Sequence, residues 1–168
     1  MELVILVDET DEPLGTEEKL AAHQPPGQLH RALSVFLFDP SGRLLLQQRA
    51  PAKHHFRERW SNTCCTHPRP GENVLEAGRR RLHEEMGVSV DLASAGTFTY
   101  KAVDVESGLV EHEVDHVLVG RFEGEPDPEA AEVQSWEWID LAALRRSLIN
   151  HPERYTPWLS PALELCGP

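Results

Sequence analysis

The sequence has 168 residues, 40% hydrophobic and 26% charged, as expected for one soluble globular domain. Its net charge of −12 argues against nucleic acid or an anionic membrane surface as the main partner. The longest apolar stretches, Leu3–Val7 and Val35–Phe38, are far too short for membrane insertion, and no secretory signal is evident. Three cysteines do not make a disulfide framework, so we expect a protein of the reducing cytoplasm.

The first quarter of the chain predicts a strand, a short helix and a hairpin. Leu3–Val7 is the strand, and Thr16 is the predicted N-cap of a helix that contains Glu17 and Glu18 and ends near His23. A Pro-Pro-Gly break at residues 25–27 follows. Two apolar runs then flank a turn signal at residues 39–42, which indicates a hairpin. Its predicted strands are Arg31–Phe38 and Leu44–Gln48.

The remaining elements complete a mixed α/β pattern. Trp60–His67 predicts a strand, and Asn73–Met86 is the clearest helix, with its first residue as cap. Leu75, Leu82 and Met86 form one apolar stripe on this helix, and Gly87 ends it. Later elements are predicted as strands at Thr97–Val103, Val110–Phe122 and Val133–Ile139, and as a helix at Leu141–Leu148. No repeat or linker divides the chain, so we predict one domain, residues 1–168.

Positive charge concentrates between Arg43 and Arg59 of this acidic chain. One acid, Glu58, opposes the five basic residues Arg43, Arg49, Lys53, Arg57 and Arg59. A local basic patch of this kind suits a small anionic ligand better than a polymer. The alternative is a solvated loop whose charges are unspecialised, because charged residues are usually exposed.

Two pairs of reactive side chains lie on predicted strands. Strand alternation places Cys65 and His67 on one face, with Cys64 on the other, and it places Glu111 and Glu113 on one face. Imidazoles and carboxylates together form divalent metal sites, so these pairs predict a metal or proton-transfer site if their strands share a pocket. His23 and His30 are further candidates, although any single histidine can be structural or exposed.

Six short motifs, in order, resemble those of the type I isopentenyl diphosphate isomerases. The most specific are Trp60–Pro68, which resembles the family's cysteine motif, and Val110–Val114, which resembles its glutamate motif. The other matches are Lys19–His23, Leu29–His30, Arg49–Lys53 and Thr156–Trp158. The resemblance extends from about Glu2 to Trp158 and implies the family's Nudix-type fold, a mixed β-sheet sandwiched between helices.

A degenerate Nudix box accompanies these motifs. Counting back from Gly87 places Glu85, Glu84, Leu82, Arg80 and Glu72 at box positions. Thr66 replaces the opening glycine, and Arg81 stands where the box has a glutamate. Hydrolases of this superfamily use a fuller acidic cluster, so the loss of this acid points away from hydrolysis. The helix charges can also be a set of exposed i,i+4 pairs.

The resemblance implies an isomerase of isoprenoid biosynthesis that moves a double bond. Isopentenyl diphosphate would be protonated and deprotonated through a tertiary carbocation to give dimethylallyl diphosphate. By this resemblance Cys65 and Glu113 transfer the protons and Tyr100 assists near Glu113, while Trp158 would face the cation. A free thiol stays protonated at neutral pH, which suits an acid. The substrate would be a small prenyl diphosphate bound by a monomeric enzyme.

The resemblance also implies two metal sites. One divalent ion, Mn²⁺ or Zn²⁺, would be bound by His23, His30, His67, Glu111 and Glu113. A Mg²⁺ accompanying the diphosphate would contact Glu85 and the backbone carbonyl of Cys65. The cations that would bind the diphosphate are Lys19, Arg49, Lys53 and Arg81.

The sequence also allows two functions other than isomerisation. A Nudix-type hydrolase of a nucleoside or prenyl diphosphate would release phosphate. A non-catalytic metal-binding domain would need its histidines but not Cys65.

Overall fold

The computed structural model describes residues 1–167, so Pro168, the last residue of the predicted domain, lies outside the described residues. The strands are β1 (Leu3–Val7), β2 (Pro13–Glu18), β3 (His30–Phe38), β4 (Leu44–Arg49), β5 (Trp60–Ser61), β6 (Cys64–Thr66), β7 (Leu92–Val103), β8 (Val110–Arg121) and β9 (Val133–Ile139). The helices are α1 (Lys19–Ala22), α2 (Val74–Met86), α3 (Leu141–Asn150) and α4 (Leu159–Leu165), and a 3₁₀ turn spans Pro152–Arg154. Within residues 1–167, no helix combines the length and apolar character that a membrane crossing needs.

Strand β3 organises the sheet because it is paired along both edges. One edge runs parallel to β8 over its whole length, from His30–Glu113 to Phe38–Arg121. The other edge is shared by β1, β6 and β4, all antiparallel to it. Strand β7 adds to β8, β2 adds to β1, and β9 and β5 add to β4. The side chains of β6 and β8 are therefore placed on either side of one central strand.

Alternation along the central strands builds two apolar layers. Leu33, Val35 and Leu37 face α2, whereas Phe36 and Phe38 face α3 and α4. Since successive side chains of a strand point to opposite faces, a strand buried on both faces is mainly apolar, as β3 is from Ala32 to Phe38 apart from Ser34. The predicted mixed sheet between helices is confirmed.

Helix α2 begins and ends as the sequence predicts. The side chain of Asn73 caps it by accepting a hydrogen bond of 2.9 Å from the backbone N–H of Glu76. Gly87 ends it in the left-handed conformation, with φ of 67°, where a Cβ would lie 2.6 Å from the carbonyl oxygen of Asp127. Glycine is required there for its backbone conformation and for this close approach.

Two predictions of local structure are wrong. Thr16 is not a helix cap, because it lies in β2 opposite Ile5; Glu18 caps α1 instead, accepting from the N–H groups of Leu20 and Ala21. The segment 60–67 is not one strand but two, β5 and β6, which pair with β4 and β3 respectively. In both places strand pairing overrides the local sequence pattern, since β2 pairs with β1, and β5 and β6 pair with two different strands.

Candidate active site

Five buried or half-buried side chains from separate parts of the chain converge at one end of β3. They are His23, His30, His67, Glu111 and Glu113. One ligand atom from each lies within 4.8 Å of those from all the others, the spacing of groups that can surround a metal ion. The structure thus brings His67 together with Glu111 and Glu113.

Strand register and one glycine bring these residues together. His30 opens β3 directly beside Glu113 of β8, and Glu111 lies two residues earlier on the same face. His23 is brought to β8 by the backbone N–H of Val110, which donates to its carbonyl oxygen at 2.8 Å. Gly27 allows this contact, because a Cβ there would lie 2.6 Å from Val110 Cγ1 and its φ is +84°.

The imidazole orientations fit a bound cation. The Nδ1 atoms of His23 and His30 lie 2.7 and 2.8 Å from the carbonyl oxygens of Lys19 and Gln28, so Nδ1 carries the proton. In the neutral ring Nε2 then carries a lone pair. His23 Nε2 lies 3.1 Å from Glu111 Oε2, and His30 Nε2 lies 3.0 Å from Glu113 Oε2. Lone pairs facing carboxylates are stabilised by a cation between them, which is the arrangement of an imidazole–carboxylate metal site.

The same geometry shifts the proton affinities of the imidazoles. Although burial favours the neutral ring, the hydrogen bond and charge of Glu111 raise the pKa of His23 to about 9. Burial dominates at His67 and lowers its pKa to about 3, despite the hydrogen bond with Glu113. His67 is thus neutral at physiological pH, whereas His23 would release its Nε2 proton on binding a metal ion.

Cys65 lies in a polar pocket beside the cluster. Its Sγ atom is 3.1 Å from both Asn62 Oδ1 and Trp158 Nε1, and 3.4 Å from Ser61 Oγ. Burial raises the pKa of the Cys65 thiol to about 12, although the charge of Arg49 acts in the opposite direction. The thiol is therefore held protonated, with the indole N–H directed at its sulfur.

Cys64 points to the opposite side of β6, as alternation predicts. It belongs to the apolar layer under α2, where its thiol donates to Glu85 at 3.2 Å. All three cysteines of the chain are free.

Tyr100 lies directly opposite Glu113 in the β7–β8 pairing. Its hydroxyl donates a short hydrogen bond to Glu113 Oε1, and burial raises the pKa of Tyr100 well above its usual range. Glu113 Oε2 meanwhile faces His30 and His67, at 3.0 and 2.7 Å. The two oxygens of Glu113 thus contact different groups, a neutral phenol and the imidazole cluster.

A cavity of about 560 Å³ opens above these residues, within the roughly 300–1,000 Å³ typical of small-molecule sites. It is lined by Cys65, Glu113 and Trp158 and by the four predicted anion-binding cations Lys19, Arg49, Lys53 and Arg81. We call these four cations the cationic rim. Its position beside the thiol and the cluster suits a substrate with one anionic end.

The rim lysines pair with carboxylates of the protein, whereas Arg49 differs from them. Lys19 pairs with Glu2 at 3.1 Å, and Lys53 pairs with Glu132 at 2.6 Å. Arg49 is 5% exposed, and within residues 1–167 its Nε–H has no hydrogen-bond partner. A buried donor without a partner costs free energy, so this N–H group favours a further hydrogen-bond acceptor.

The sequence's basic patch does not form a single surface. Of its five cations, Arg49 and Lys53 line the cavity. The other three are engaged elsewhere in the described chain, where Arg43 pairs with Asp39, Arg57 pairs with Glu106 and Arg59 donates to the carbonyl of Tyr155. Two of the five cations thus face the cavity, and three lie away from it.

Glu85 lies behind the rim rather than on the cavity wall. It is 3% exposed, and Arg81 Nη2 donates to its Oε1 at 2.6 Å. Its Oε2 faces Gln47 and Cys64, at 3.3 and 3.2 Å. The structure thus places Arg81 between Glu85 and the cavity.

Sequence reasoning missed two buried residues next to the cluster. His55 donates to Glu111 Oε1, and Asp115 follows Glu113 on the same face of β8 and accepts from Ser34 Oγ at 2.7 Å. Alternation from Glu113 could have identified Asp115. His55 had no such signal, because it lies in the irregular segment between β4 and β5.

Comparisons with known proteins agree with this architecture. A family model described as NUDIX domain matches residues 28–159. A crystal structure from Deinococcus radiodurans superposes with a TM-score of 0.83 at 21% identity, covering 99% of this chain and 100% of that chain. A MutT NUDIX hydrolase from Burkholderia pseudomallei gives a TM-score of 0.61 at 23% identity, covering 82% and 98%. The fold is therefore that of the NUDIX class, as the resemblance implied.

Sequence relatives define the branch within this class. The chain is 49% identical to an isopentenyl-diphosphate Delta-isomerase 1 of Aromatoleum aromaticum, over 96% of this chain and 90% of that protein. It is also 49% identical to an isopentenyl-diphosphate Delta-isomerase of Nocardia farcinica, over 96% and 93%. The chain belongs to the isopentenyl-diphosphate Delta-isomerase family of NUDIX proteins.

Proposed function

We propose that this protein interconverts isopentenyl diphosphate and dimethylallyl diphosphate by proton transfer. The main support for this proposal is that Cys65 and Glu113 line one cavity, on strands that pair with opposite edges of β3. A protonated thiol and an ionised carboxylate on two sides of an alkene are the groups that an allylic proton shift needs. The family membership of the chain supports the same reaction.

In this proposal the chain's own residues move two protons. The Cys65 thiol adds its proton to the terminal alkene carbon, leaving a tertiary carbocation on the substrate. Glu113 takes the proton from the carbon nearer the diphosphate, and the Tyr100 hydroxyl, which donates to Oε1, holds that carboxylate in place and shares the proton. Reversal of the two transfers regenerates the starting alkene.

Stabilisation of the cation supplies the remainder of the acceleration. General acid–base catalysis contributes roughly 10²–10⁴-fold, whereas enzymes typically accelerate reactions by about 10⁶-fold or more. Trp158 is the residue we assign to this role, because its ring is 3% exposed and lines the cavity beside Cys65. A desolvated cation over an indole face gains about 2 kcal/mol.

We assign a divalent ion, Mn²⁺ or Zn²⁺, to the five-residue cluster. The lone-pair orientations of His23 and His30 toward Glu111 and Glu113 support this assignment. When bound, such an ion neutralises the two carboxylates and lowers the basicity of Glu113. The histidines orient both carboxylates, so that Glu113 Oε1 remains available beside Tyr100.

The cationic rim is assigned to the substrate diphosphate. The unpartnered Nε–H of Arg49 supports this role most directly. We infer that Mg²⁺ accompanies the diphosphate and is bound by Glu85 and the Cys65 carbonyl, with Arg81 turning from Glu85 toward phosphate. Because Arg81 stands where the Nudix box has a glutamate, the helix offers one acid fewer to metal ions, which disfavours metal-dependent hydrolysis.

We further infer that residues 1–168 form a single domain, monomeric and cytoplasmic. The three free cysteines support a reducing compartment. Sedimentation velocity on the purified chain tests the monomer, with a dimer-sized species as the contrary result.

The decisive experiment incubates the purified chain with isopentenyl diphosphate and Mg²⁺, with and without added Mn²⁺, and follows both dimethylallyl diphosphate and free phosphate. We expect the allylic isomer without phosphate release. Phosphate release without the isomer would instead assign the chain to diphosphate hydrolysis. If neither product forms, the cluster would be a metal-binding site without this catalytic activity.

A further inference from the structure

We infer that His55 is a positioning residue for the proposed metal centre, fixing Glu111 so that one carboxylate oxygen points into the cluster. This inference rests on the proposed metal binding but not on the isomerase reaction. His55 lies outside the five-residue cluster, in the segment between β4 and β5.

The two oxygens of Glu111 face different partners. Oε2 points into the cluster, 3.1 Å from His23 Nε2 and 3.9 Å from His30 Nε2. Oε1 points outward and accepts a hydrogen bond from His55 Nε2. Since Oε1 is held from outside, the carboxylate cannot rotate without losing this bond, and Oε2 stays directed at the cluster.

His55 and the cluster imidazoles use Nε2 in opposite ways. The Nδ1–H groups of His23 and His30 donate hydrogen bonds to backbone carbonyls, so in the neutral rings Nε2 carries a lone pair that can bind a metal ion. His55 Nε2 faces a carboxylate oxygen, so it carries a proton whether the ring is neutral or charged. His55 therefore acts as a donor to a metal-binding carboxylate, and such outer partners typically affect metal affinity by about 10–100-fold.

Contacts on both sides hold the His55 backbone in place. Its carbonyl oxygen accepts from Arg49 Nη2 at 3.1 Å, and the next N–H, of Phe56, donates to buried Asp104 Oδ2 at 3.1 Å. Phe56 also packs edge-on against Trp158, with ring centroids 5.4 Å apart. The segment that supplies the rim residue Arg49 thus also supplies the support of Glu111, which joins the anion-binding and metal-binding parts of the site.

The test measures Mn²⁺ affinity of the full chain after metal stripping, by competition with a chelator of known affinity. H55L removes the donor at similar volume, and we expect it to weaken Mn²⁺ binding about 10–100-fold. H55Q places an amide N–H near the position of Nε2, and we expect affinity within about threefold of wild type because the hydrogen bond is retained. H54L is the matched control, since His54 is the exposed neighbour in the same segment, and we expect wild-type affinity.

Thermal unfolding of each variant in excess chelator separates folding from metal binding. If H55L does not fold, H55N replaces it, because the shorter amide ends near the position of Nδ1 and does not reach Glu111. Wild-type affinity in H55L or H55N would overturn the inference, as would an H55Q variant as weak as H55L. A wild-type chain that binds no Mn²⁺, Zn²⁺ or Co²⁺ would overturn the proposed metal centre with it, whereas loss of isomerisation alone would leave the inference standing.

Discussion

The imidazole–carboxylate cluster and the cationic rim hold their charges in different ways. His30 is fully buried and Glu113 is 5% exposed, and both are fixed by strand register. The side chains of Lys19 and Lys53 are 28% and 18% exposed and reach their partners through flexible stems. A buried charge that loses its partner is costly, whereas a solvated pair contributes little.

The two regions therefore differ in their expected sensitivity to substitution. In and beside the cluster, the imidazoles and carboxylates are bonded to one another away from solvent, so a single deletion leaves a buried group unsatisfied. In the rim, each carboxylate partner can be exchanged for a phosphate oxygen, and binding of the diphosphate would be shared among four cations. We therefore expect large effects on turnover beside the cluster and modest effects on substrate affinity at the rim.

Removal of the thiol is expected to have the largest effect. Cys65→Ala deletes the proposed acid, and we expect kcat to fall by roughly 10²–10⁴-fold. Mn²⁺ affinity should remain close to wild type, because the thiol is not part of the five-residue cluster. Cys166→Ala at the end of α4 is the control. A C65A variant with near-normal turnover would contradict the proposed acid.

Loss of the phenol should have the next largest effect. Tyr100→Phe removes the hydrogen bond to Glu113 Oε1. Hydrogen bonds to charged groups are worth roughly 1.5–3 kcal/mol, which corresponds to about 10- to 150-fold in rate. We expect this loss in kcat with KM little changed, measured by steady-state kinetics. Tyr155→Phe, whose hydroxyl contacts Ser147, is the remote control. A change in KM alone would assign Tyr100 to substrate binding instead.

A rim substitution should act on affinity rather than turnover. Lys53→Met removes one cation while retaining most of the stem, and we expect KM for isopentenyl diphosphate to rise about tenfold, equivalent to about 1.4 kcal/mol. Lys101→Met, exposed on β7, is the matched control. Inorganic diphosphate should inhibit K53M more weakly than wild type. An equal fall in kcat with unchanged KM would remove the distinction between the two regions.

The smallest expected effect concerns the acid that occupies the rim. Glu2 pairs with Lys19 and lines the cavity, and its side chain is 74% exposed. Glu2→Gln should free Lys19 for the diphosphate and lower KM about two- to fivefold, the range that exposed ion pairs support. Glu9→Gln, exposed and remote, provides the control. A raised KM in E2Q would show that Glu2 assists binding rather than competing with it.

Much of the cluster was predictable from local sequence. Strand alternation placed Glu111 with Glu113 and separated Cys64 from Cys65, and the capped helix α2 was correct to within a residue. These features depend on neighbours a few residues apart, which a sequence states directly. The motif resemblance added Tyr100 and distinguished His23 and His30 from the other histidines, which no local periodicity does.

The irregular segments and the choice of pairing partners depend on long-range packing. The position of His55 depends on the hydrogen bond that the neighbouring N–H of Phe56 donates to Asp104, 48 residues away along the chain. The break between β5 and β6 depends on pairing with two different strands. Glu85 faces the core side because Arg81, Gln47 and Cys64 surround it. Such contacts join residues distant in sequence, so local pattern determined the elements and their faces, while chain packing determined which side chains meet.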